Sequence, residues 1–136
     1  MKYNYTFFFK EHELFDFLKE YFFQDLEKSN DETSRHDCIS KAYEMDIELK
    51  CRRKHYDSLI IEKKKYDSLI NRSKENSTRP VYINSTPEGV WAFYLLKYGD
   101  VEWEMKDLPR HTDFNGRNNI SKEIGYLDIS KGVKLT

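Results

Sequence analysis

The sequence has 136 residues, enough for one globular domain built around a single core, and we therefore expect one domain over 1–136. Hydrophobic residues make up 38% and charged residues 35%, with a formal net charge of −1. This near-neutral charge argues against a protein that binds nucleic acid through a large basic excess alone.

The composition also argues against a secreted or membrane protein. No stretch reaches the roughly 20 apolar residues of a membrane span, and no signal peptide is visible. Cys38 and Cys51 are neither in a CxxC pair nor at zinc-finger spacing from a histidine, so both are expected to be reduced. We expect a cytoplasmic protein. The many Lys, Asn, Ile, Tyr and Phe residues suggest a low-GC bacterium or a phage-infected host cell.

The first half of the chain predicts a helix followed by two strands. Residues 3–9 are aromatic and β-prone. A helix is expected over 10–28, where apolar residues recur at spacings of three and four: Leu14, Phe15, Leu18, Phe22 and Leu26. The polar segment 29–34 predicts a loop. Residues 35–42 and 45–52 then predict two short strands joined by a tight turn.

A second helix is predicted over 54–75, which carries an apolar stripe interrupted by one lysine. The pentapeptide YDSLI occurs twice in this segment, at 56–60 and 66–70. A ten-residue step separates the copies by about 80° around a helix of 3.6 residues per turn. We therefore interpret the repeat as coincidence and not as a structural repeat.

The rest of the chain predicts strands, a loop and a last helix. Strands are expected at 80–83, 90–96 and 101–105. A clear turn occupies 85–89, where Pro and Gly are close together. A loop over 108–119 precedes a short helix over 120–128. The order of elements predicts an α/β (or α+β) fold with one mixed β-sheet flanked by helices.

The second strand of the early pair combines acids and bases on one face. Side chains alternate along a strand, so one face carries Ile47, Leu49 and Cys51. The other face carries Asp46, Glu48, Lys50 and Arg52. The preceding strand contributes a further acid, Asp37, which a hairpin can place opposite Glu48. Two acids and a lysine are thus expected to meet on one side of the sheet.

This combination suits the hydrolysis of a phosphodiester. A divalent cation held by two carboxylates lowers the pKa of bound water and neutralises phosphate charge. Mg²⁺ in particular takes one or two carboxylates together with waters and phosphate oxygens. A neighbouring lysine can orient or deprotonate the attacking water. Asp37, Glu48 and Lys50 are therefore candidate catalytic residues. The alternative is a solvated strand face on which Glu48 and Lys50 form a surface ion pair.

The pattern from Asp37 to Glu48-Leu49-Lys50 resembles the signature of the PD-(D/E)XK nuclease superfamily, the fold of restriction endonucleases and Holliday-junction resolvases. The order of helices and strands is similar over 11–96, and small phage-type members look most similar. His36 stands at the variable position where the signature has proline. The resemblance implies a restriction-endonuclease-like central mixed sheet flanked by helices.

The resemblance also implies roles for the residues of the signature. Asp37, Glu48 and the main-chain carbonyl of Leu49 would bind Mg²⁺ or Mn²⁺. Lys50 would lie at the attacking water. The activity implied is a Mg²⁺-dependent hydrolysis of phosphodiester bonds in DNA.

Further acids are open as metal ligands. Some members of the superfamily add a carboxylate from the first helix, and Glu20 or Glu13 could take that place. Asp46 lies two residues before Glu48 on the same strand face, so it could replace or supplement Asp37.

Basic residues near the signature are candidates for binding nucleic acid. Lys65 on the second helix could reach a phosphate at the site, and Arg52 and Arg53 begin a short basic run beside it. As phosphate contacts they would add salt-dependent affinity for DNA. The alternative for each is an ordinary solvated charge.

Three functional hypotheses follow. The first is a metal-dependent nuclease that cuts DNA. The second is a catalytically inactive nuclease fold that binds nucleic acid or protein, such as a phage accessory or anti-defence protein. The third is a structural or assembly protein. A homodimer is expected from the general prevalence of twofold oligomers.

Overall fold

The computed structural model describes residues 8–29, 37–109 and 119–136. In chain order the elements are helix α1 (Glu11–Tyr21), strands β1 (Glu27–Lys28), β2 (Asp37–Ser40), β3 (Met45–Cys51) and β4 (Ser58–Glu62), helix α2 (Lys63–Asn76), strands β5 (Arg79–Thr86) and β6 (Gly89–Tyr94), the short helix α3 (Leu95–Tyr98), strands β7 (Glu104–Pro109) and β8 (Asn119–Asp128), a 3₁₀ turn (Ile129–Lys131) and strand β9 (Val133–Lys134). Most of the predicted segments 3–9, 29–34 and 108–119, and the first two residues of 35–42, lie outside the described ranges.

A six-stranded sheet in the order β1-β2-β3-β5-β6-β9 forms the centre of the fold. Strands β3 and β5 are parallel and the other neighbouring pairs are antiparallel, so the sheet is mixed, as predicted. A parallel pair needs a long crossover connection, and here β4 and α2 supply it. Strand β4 of that crossover also belongs to a second sheet, in the order β4-β8-β7.

Two apolar cores lie on opposite faces of the central sheet. Helix α1 covers one face, where its Leu14 and Leu18 join Ile47 of β3. On the other face, Leu69 of α2 packs in one cluster with Leu59 of β4 and with side chains of β5 and β6. Because neighbouring residues of a strand point to opposite faces, β5 contributes to both cores. The predicted α/β class, with a mixed sheet flanked by helices, is confirmed.

Helix α1 begins as predicted but ends earlier. The backbone N–H of Lys10 donates to Glu13 Oε1 at 3.2 Å at the first turn of the helix. The helix ends at Tyr21 instead of continuing to residue 28. Beyond it, Lys19 Nζ donates to the carbonyl of Leu26 at 2.8 Å, and β1 pairs with β2. Pairing with the sheet thus replaces the last predicted turns of the helix.

The prediction of one helix over 54–75 was wrong for its first part. Residues 58–62 form strand β4, and helix α2 begins only at Lys63. The first copy of YDSLI therefore ends in a strand, whereas the second lies in a helix. Leu59 and Leu69, at equivalent positions of the two copies, are both 1% exposed. Local sequence does not choose between the two structures here, because short apolar runs suit either and strand pairing decides.

The helix predicted over 120–128 was also wrong. These residues belong to strand β8, which lies between β4 and β7 and pairs with both. Residues 108–109, expected to begin a loop, end strand β7. Pairing on both sides satisfies the backbone of β8 and outweighs the helix-like spacing of its apolar residues.

The turn between β5 and β6 lies within the segment where it was predicted, 85–89. Strand β5 extends to Thr86, and β6 begins at Gly89, where φ is 150°. A side chain is strained at such an angle, so this position favours glycine. Residues 95–96, predicted as the end of the strand over 90–96, instead begin the short helix α3. Among the described residues, no helix is both long and apolar enough to cross a membrane.

Replacing Leu59 with alanine should lower the free energy of unfolding by about 2–5 kcal/mol, because the change leaves a cavity in a packed core. The exposed Leu96, at 67%, offers a matched control, and Leu96→Ala should change stability by about 0.5 kcal/mol or less. Urea denaturation followed by circular dichroism measures both. Equal effects of the two substitutions would contradict the burial of β4.

Candidate active site

Antiparallel pairing of β2 with β3 places Asp37 directly opposite Glu48. Both side chains are buried, with 4% and 8% exposure. They lie on the face of the sheet that α2 covers, since Lys65 and Arg72 of that helix contact them. The hairpin therefore brings two acids distant in sequence into one buried pair.

Each acid of this pair keeps an oxygen without a hydrogen-bond partner among the described residues. These atoms are Asp37 Oδ1 and Glu48 Oε2, and both are buried. The pKa of Glu48 is raised to about 8, first by burial and then by the neighbouring Asp37, against the opposing charges of Lys65 and Arg72. Two adjacent buried carboxylates with open oxygens form a strong site for a positive charge.

Helix α2 supplies the positive charges that face these acids. Arg72 Nη1 donates to Asp37 Oδ2, and Arg72 Nε lies 3.6 Å from Asp46 Oδ1. Lys65 Nζ lies 3.7 Å from Glu48 Oε1. Lys65, the predicted phosphate contact, thus stands at the site, and its side chain is 52% exposed.

Asp46 differs from Asp37 and Glu48 in having both oxygens engaged. Asn76 Nδ2 donates to Asp46 Oδ1 and Oδ2 at 3.2 and 3.1 Å, and the hydroxyl of Thr78 donates to Oδ2. Asp46 thereby ties the end of α2 to the sheet. Its hydrogen bonds favour a structural role over the predicted role as an alternative ligand.

A first-helix acid other than Glu13 and Glu20 lines a cleft that Asp37 also lines. A cleft of about 300 Å³ opens beside the acid pair, with this lining: Lys10, Glu11, His12, Phe15, Lys28, Asp37 and Leu49. Glu11 stands in the first turn of α1 and faces this cleft. Glu13 accepts the capping hydrogen bond of Lys10, and Glu20 lies in the last turn of α1. Neither of these two lines the cleft.

Lys50 lies on the same face of β3 as Glu48 and is exposed. In the parallel pairing with β5 it is level with Asn84. No hydrogen bond or ion pair engages Lys50 among the residues that the structure describes. Its ammonium group is therefore free to meet a ligand at the edge of the site.

The basic run after β3 divides between the interior and the surface. Arg52 Nε donates to Asn84 Oδ1 at 2.9 Å, and Nη2 donates to Tyr82 Oη at 3.2 Å and to the carbonyl of Ile60. These contacts join the two sheets, so Arg52 is oriented into the protein and not towards solvent as expected for a phosphate contact. Arg53 is exposed.

The donor set suits a divalent cation that keeps much of its water. Within the described ranges, no three His, Cys, Asp or Glu side chains converge as a closed ligand set. Two carboxylates with open oxygens, next to the main chain of Leu49, match the partial coordination that Mg²⁺ accepts from proteins. A structural zinc site, by contrast, needs four protein ligands.

A solved structure with a similar fold is that of Hjc, a Holliday junction resolvase from the archaeal hyperthermophile Archaeoglobus fulgidus. It superimposes with a TM-score of 0.54 over 93% of each chain, at 12% sequence identity. The chain has the restriction-endonuclease-like fold. The fold predicted from the Asp and Glu-Leu-Lys pattern is thereby confirmed. No family model and no curated protein matches the sequence.

In this restriction-endonuclease-like fold, sequence reasoning missed Glu11 and Arg72. Arg72 follows Lys65 by seven residues, which is about two helical turns and places both on one face of α2. That spacing could have singled out Arg72 once Lys65 was noted. Glu11 gave no comparable signal, because the exact first turn of α1 decides which acid reaches the cleft.

The raised pKa of Glu48 predicts a pH-dependent stability. The ordinary pKa of this side chain is 4.5, so between pH 4.5 and about 8 Glu48 carries a proton in the folded protein but not in the unfolded chain. The stability that this proton contributes is fully present below about pH 4.5. It is lost as the pH rises through about 8. Glu48→Gln, which stays neutral, should therefore be more stable than the parent protein at pH 9, by at least about 1 kcal/mol.

Urea denaturation in EDTA between pH 5 and pH 9 measures this difference, with Glu75→Gln at an exposed position of α2 as the control. The stability gap between Glu48→Gln and the parent protein should widen with pH, while the Glu75→Gln gap stays constant. A constant gap for both variants would contradict the shifted pKa of Glu48.

Proposed function

We propose that this chain is a divalent-metal-dependent nuclease that hydrolyses phosphodiester bonds in DNA. The observation that carries the proposal is the buried pair of Asp37 and Glu48, each with an oxygen that lacks a hydrogen-bond partner. Lys50 stands free on the same strand face. The resolvase fold supports the proposal, since Hjc of A. fulgidus acts on a branched DNA.

The acid pair and the residues around it have defined parts in the proposed site. Asp37, Glu48 and the carbonyl of Leu49 would hold Mg²⁺ or Mn²⁺, with Glu11 facing the same cleft. The bound cation would lower the pKa of water and neutralise phosphate charge. Lys50 would hold the attacking water by a hydrogen bond and take part in its deprotonation.

Helix α2 limits how DNA can reach this site. It covers the acid pair from one side through Lys65 and Arg72. The cleft at the start of α1 leaves the other approach open, and Lys10, His12 and Lys28 line it. A phosphate approaching Asp37 through this cleft would meet positively charged or hydrogen-bonding side chains before it met the acids. A homodimer, as predicted, would present two such clefts to a duplex or a junction.

Lys50→Ala and Glu48→Gln should each reduce DNA cleavage by about 100-fold or more, because each removes a group that acts on the reacting atoms. Gel electrophoresis would follow the cleavage of plasmid DNA and of four-way junction DNA over 10-minute time courses. The reactions would contain Mg²⁺, Mn²⁺ or EDTA, with the metal at roughly 5 mM to saturate a weak Mg²⁺ site. Lys97→Ala, at an exposed position of α3, and Glu75→Gln are the matched controls and should retain activity.

Cleavage by the parent protein that needs no metal, or that survives both substitutions, would contradict the proposal. A folded parent protein that binds DNA, cuts nothing and binds no Mn²⁺ in calorimetry would instead identify an inactive nuclease fold used for binding.

Glu11→Gln should weaken Mn²⁺ binding and cleavage by about 10-fold, since loss of a group close to the metal typically costs 10- to 100-fold. Glu20→Gln is the matched control in the same helix and should leave both unchanged, because Glu20 lies in its last turn. Isothermal titration with Mn²⁺ measures the affinity apart from catalysis. Equal effects of the two variants would show that the acid of the first turn plays no special part.

A further inference from the structure

Besides its apolar packing through Leu69, helix α2 contacts the acid-bearing face of the sheet through charged and polar groups. Lys65, Arg72 and Asn76 reach Glu48, Asp37 and Asp46 respectively. Lys65 and Arg72 are seven residues apart, and Asn76 follows four residues later, so all three lie on one face of the helix. The two cations of α2 thus face a row of three buried acids.

A divalent cation at Asp37 and Glu48 would compete with these contacts. Arg72 and Lys65 would then stand a few ångströms from two further positive charges, and like charges repel strongly at such distances inside a protein. With all three acids ionised, the two cations and the divalent ion would leave one surplus positive charge. The surplus positive charge makes the same place attractive to an anion.

Arg72 already has the donors that a phosphate needs. Its Nε and Nη2 groups are buried and donate no hydrogen bond to any described residue, although Nε lies 3.6 Å from Asp46 Oδ1. A second cleft, of about 240 Å³, opens next to it, and its lining includes Lys28, Lys41 and Asn76 together with the acids Glu27 and Asp46. Lys28 also lines the cleft at Asp37, so the two clefts adjoin at Lys28. A guanidinium fork matches two oxygens of a phosphate group better than an ammonium does.

We propose that Arg72, assisted by Lys65, is a phosphodiester-binding residue that exchanges Asp37 for a DNA phosphate when a divalent cation occupies the acid pair. This inference rests on the proposed nuclease function and extends it. Metal binding and DNA binding would then favour each other. The cation releases Arg72 from Asp37, and the phosphate that binds Arg72 leaves Asp37 available to the cation. By thermodynamic linkage the cation must raise the affinity for DNA by the same factor as DNA raises the affinity for the cation.

The first test measures Mn²⁺ binding to the full chain by isothermal titration, without DNA. Arg72→Met removes the charge that competes for Asp37, so it should tighten Mn²⁺ binding by about 10-fold. Arg79→Met makes the same change at an exposed arginine that contacts the carbonyl of Tyr43, away from the acids, and should leave the affinity unchanged. A merely structural Arg72 would give the opposite sign, because a disordered site binds metal less well.

The second test measures DNA binding by fluorescence anisotropy of a labelled duplex and a labelled four-way junction. Lys50→Ala serves as the background, since suppressed cleavage keeps the DNA intact. In this background Mn²⁺ should raise the affinity over that in EDTA, on the order of 10-fold. Adding Arg72→Met should abolish this increase, and adding Arg79→Met should not.

Arg72→Lys guards against a failure to fold. It retains the charge without the fork, so it should keep the parent Mn²⁺ affinity and lose most of the Mn²⁺-induced gain in DNA affinity. Thermal melts by circular dichroism verify that each variant is folded. If Arg72→Met does not fold, the result for Arg72→Lys decides between the two roles.

The outcomes separate this inference from the function on which it rests. Metal-dependent cleavage by the parent protein, together with unchanged or weaker Mn²⁺ binding in folded Arg72→Met, overturns the exchange and leaves the nuclease intact. Unchanged coupling in Arg72→Lys overturns the assignment of the fork to phosphate. A parent protein that neither binds Mn²⁺ nor cuts DNA overturns the proposed function and the inference with it.

Discussion

The register between β2 and β3 is the constraint on which the rest of the site depends. It places Asp37 opposite Glu48 and Ile39 opposite Asp46. A slip of one residue would turn every side chain of one strand to the other face, and the acids would enter the apolar core under α1. That core contains Cys38 and Ile47, which alternate with the acids and are 1% and 0% exposed. Burial of apolar groups on one face therefore fixes the positions of charged groups on the other.

The two larger helices are held to the sheet by different forces. Helix α1 buries Leu14, Phe17 and Leu18, so its attachment is mainly hydrophobic. Helix α2 buries only Leu69 and Ser73, and much of its contact with β2 and β3 consists of ion pairs and hydrogen bonds to acids. Buried ion pairs contribute little net stability, but removing one partner is costly. The ion pairs between α2 and the sheet therefore depend on the charge of the acid pair.

This difference connects the architecture to the proposed chemistry. The apolar packing that holds α1 does not depend on the charge of a ligand. The cations of α2, by contrast, can leave the acids and contact a ligand instead. The acid pair lies at the junction between the rigid β2–β3 hairpin and the polar side of α2. The similarity to Hjc, at 12% identity, establishes the fold and not the activity, because one fold can serve many functions. The local chemistry of Asp37, Glu48 and Lys50 is what supports the proposed nuclease activity.

The sequence by itself determined the fold class and the central hairpin, because side-chain alternation in 45–52 and the acid at residue 37 are short-range patterns. It did not determine the states of 58–62 and 119–128, which are strands only because β4, β7 and β8 pair with one another over long sequence separations. The same pentapeptide is thus part strand and part helix. It also did not determine that Glu11 lines the cleft or that the carboxylate of Asp46 accepts hydrogen bonds from Asn76 and Thr78. Nor did it determine that the side chain of Arg52 points into the protein. Those assignments depend on distances across the fold, which only the packing of α1, α2 and the second sheet against the central sheet decides.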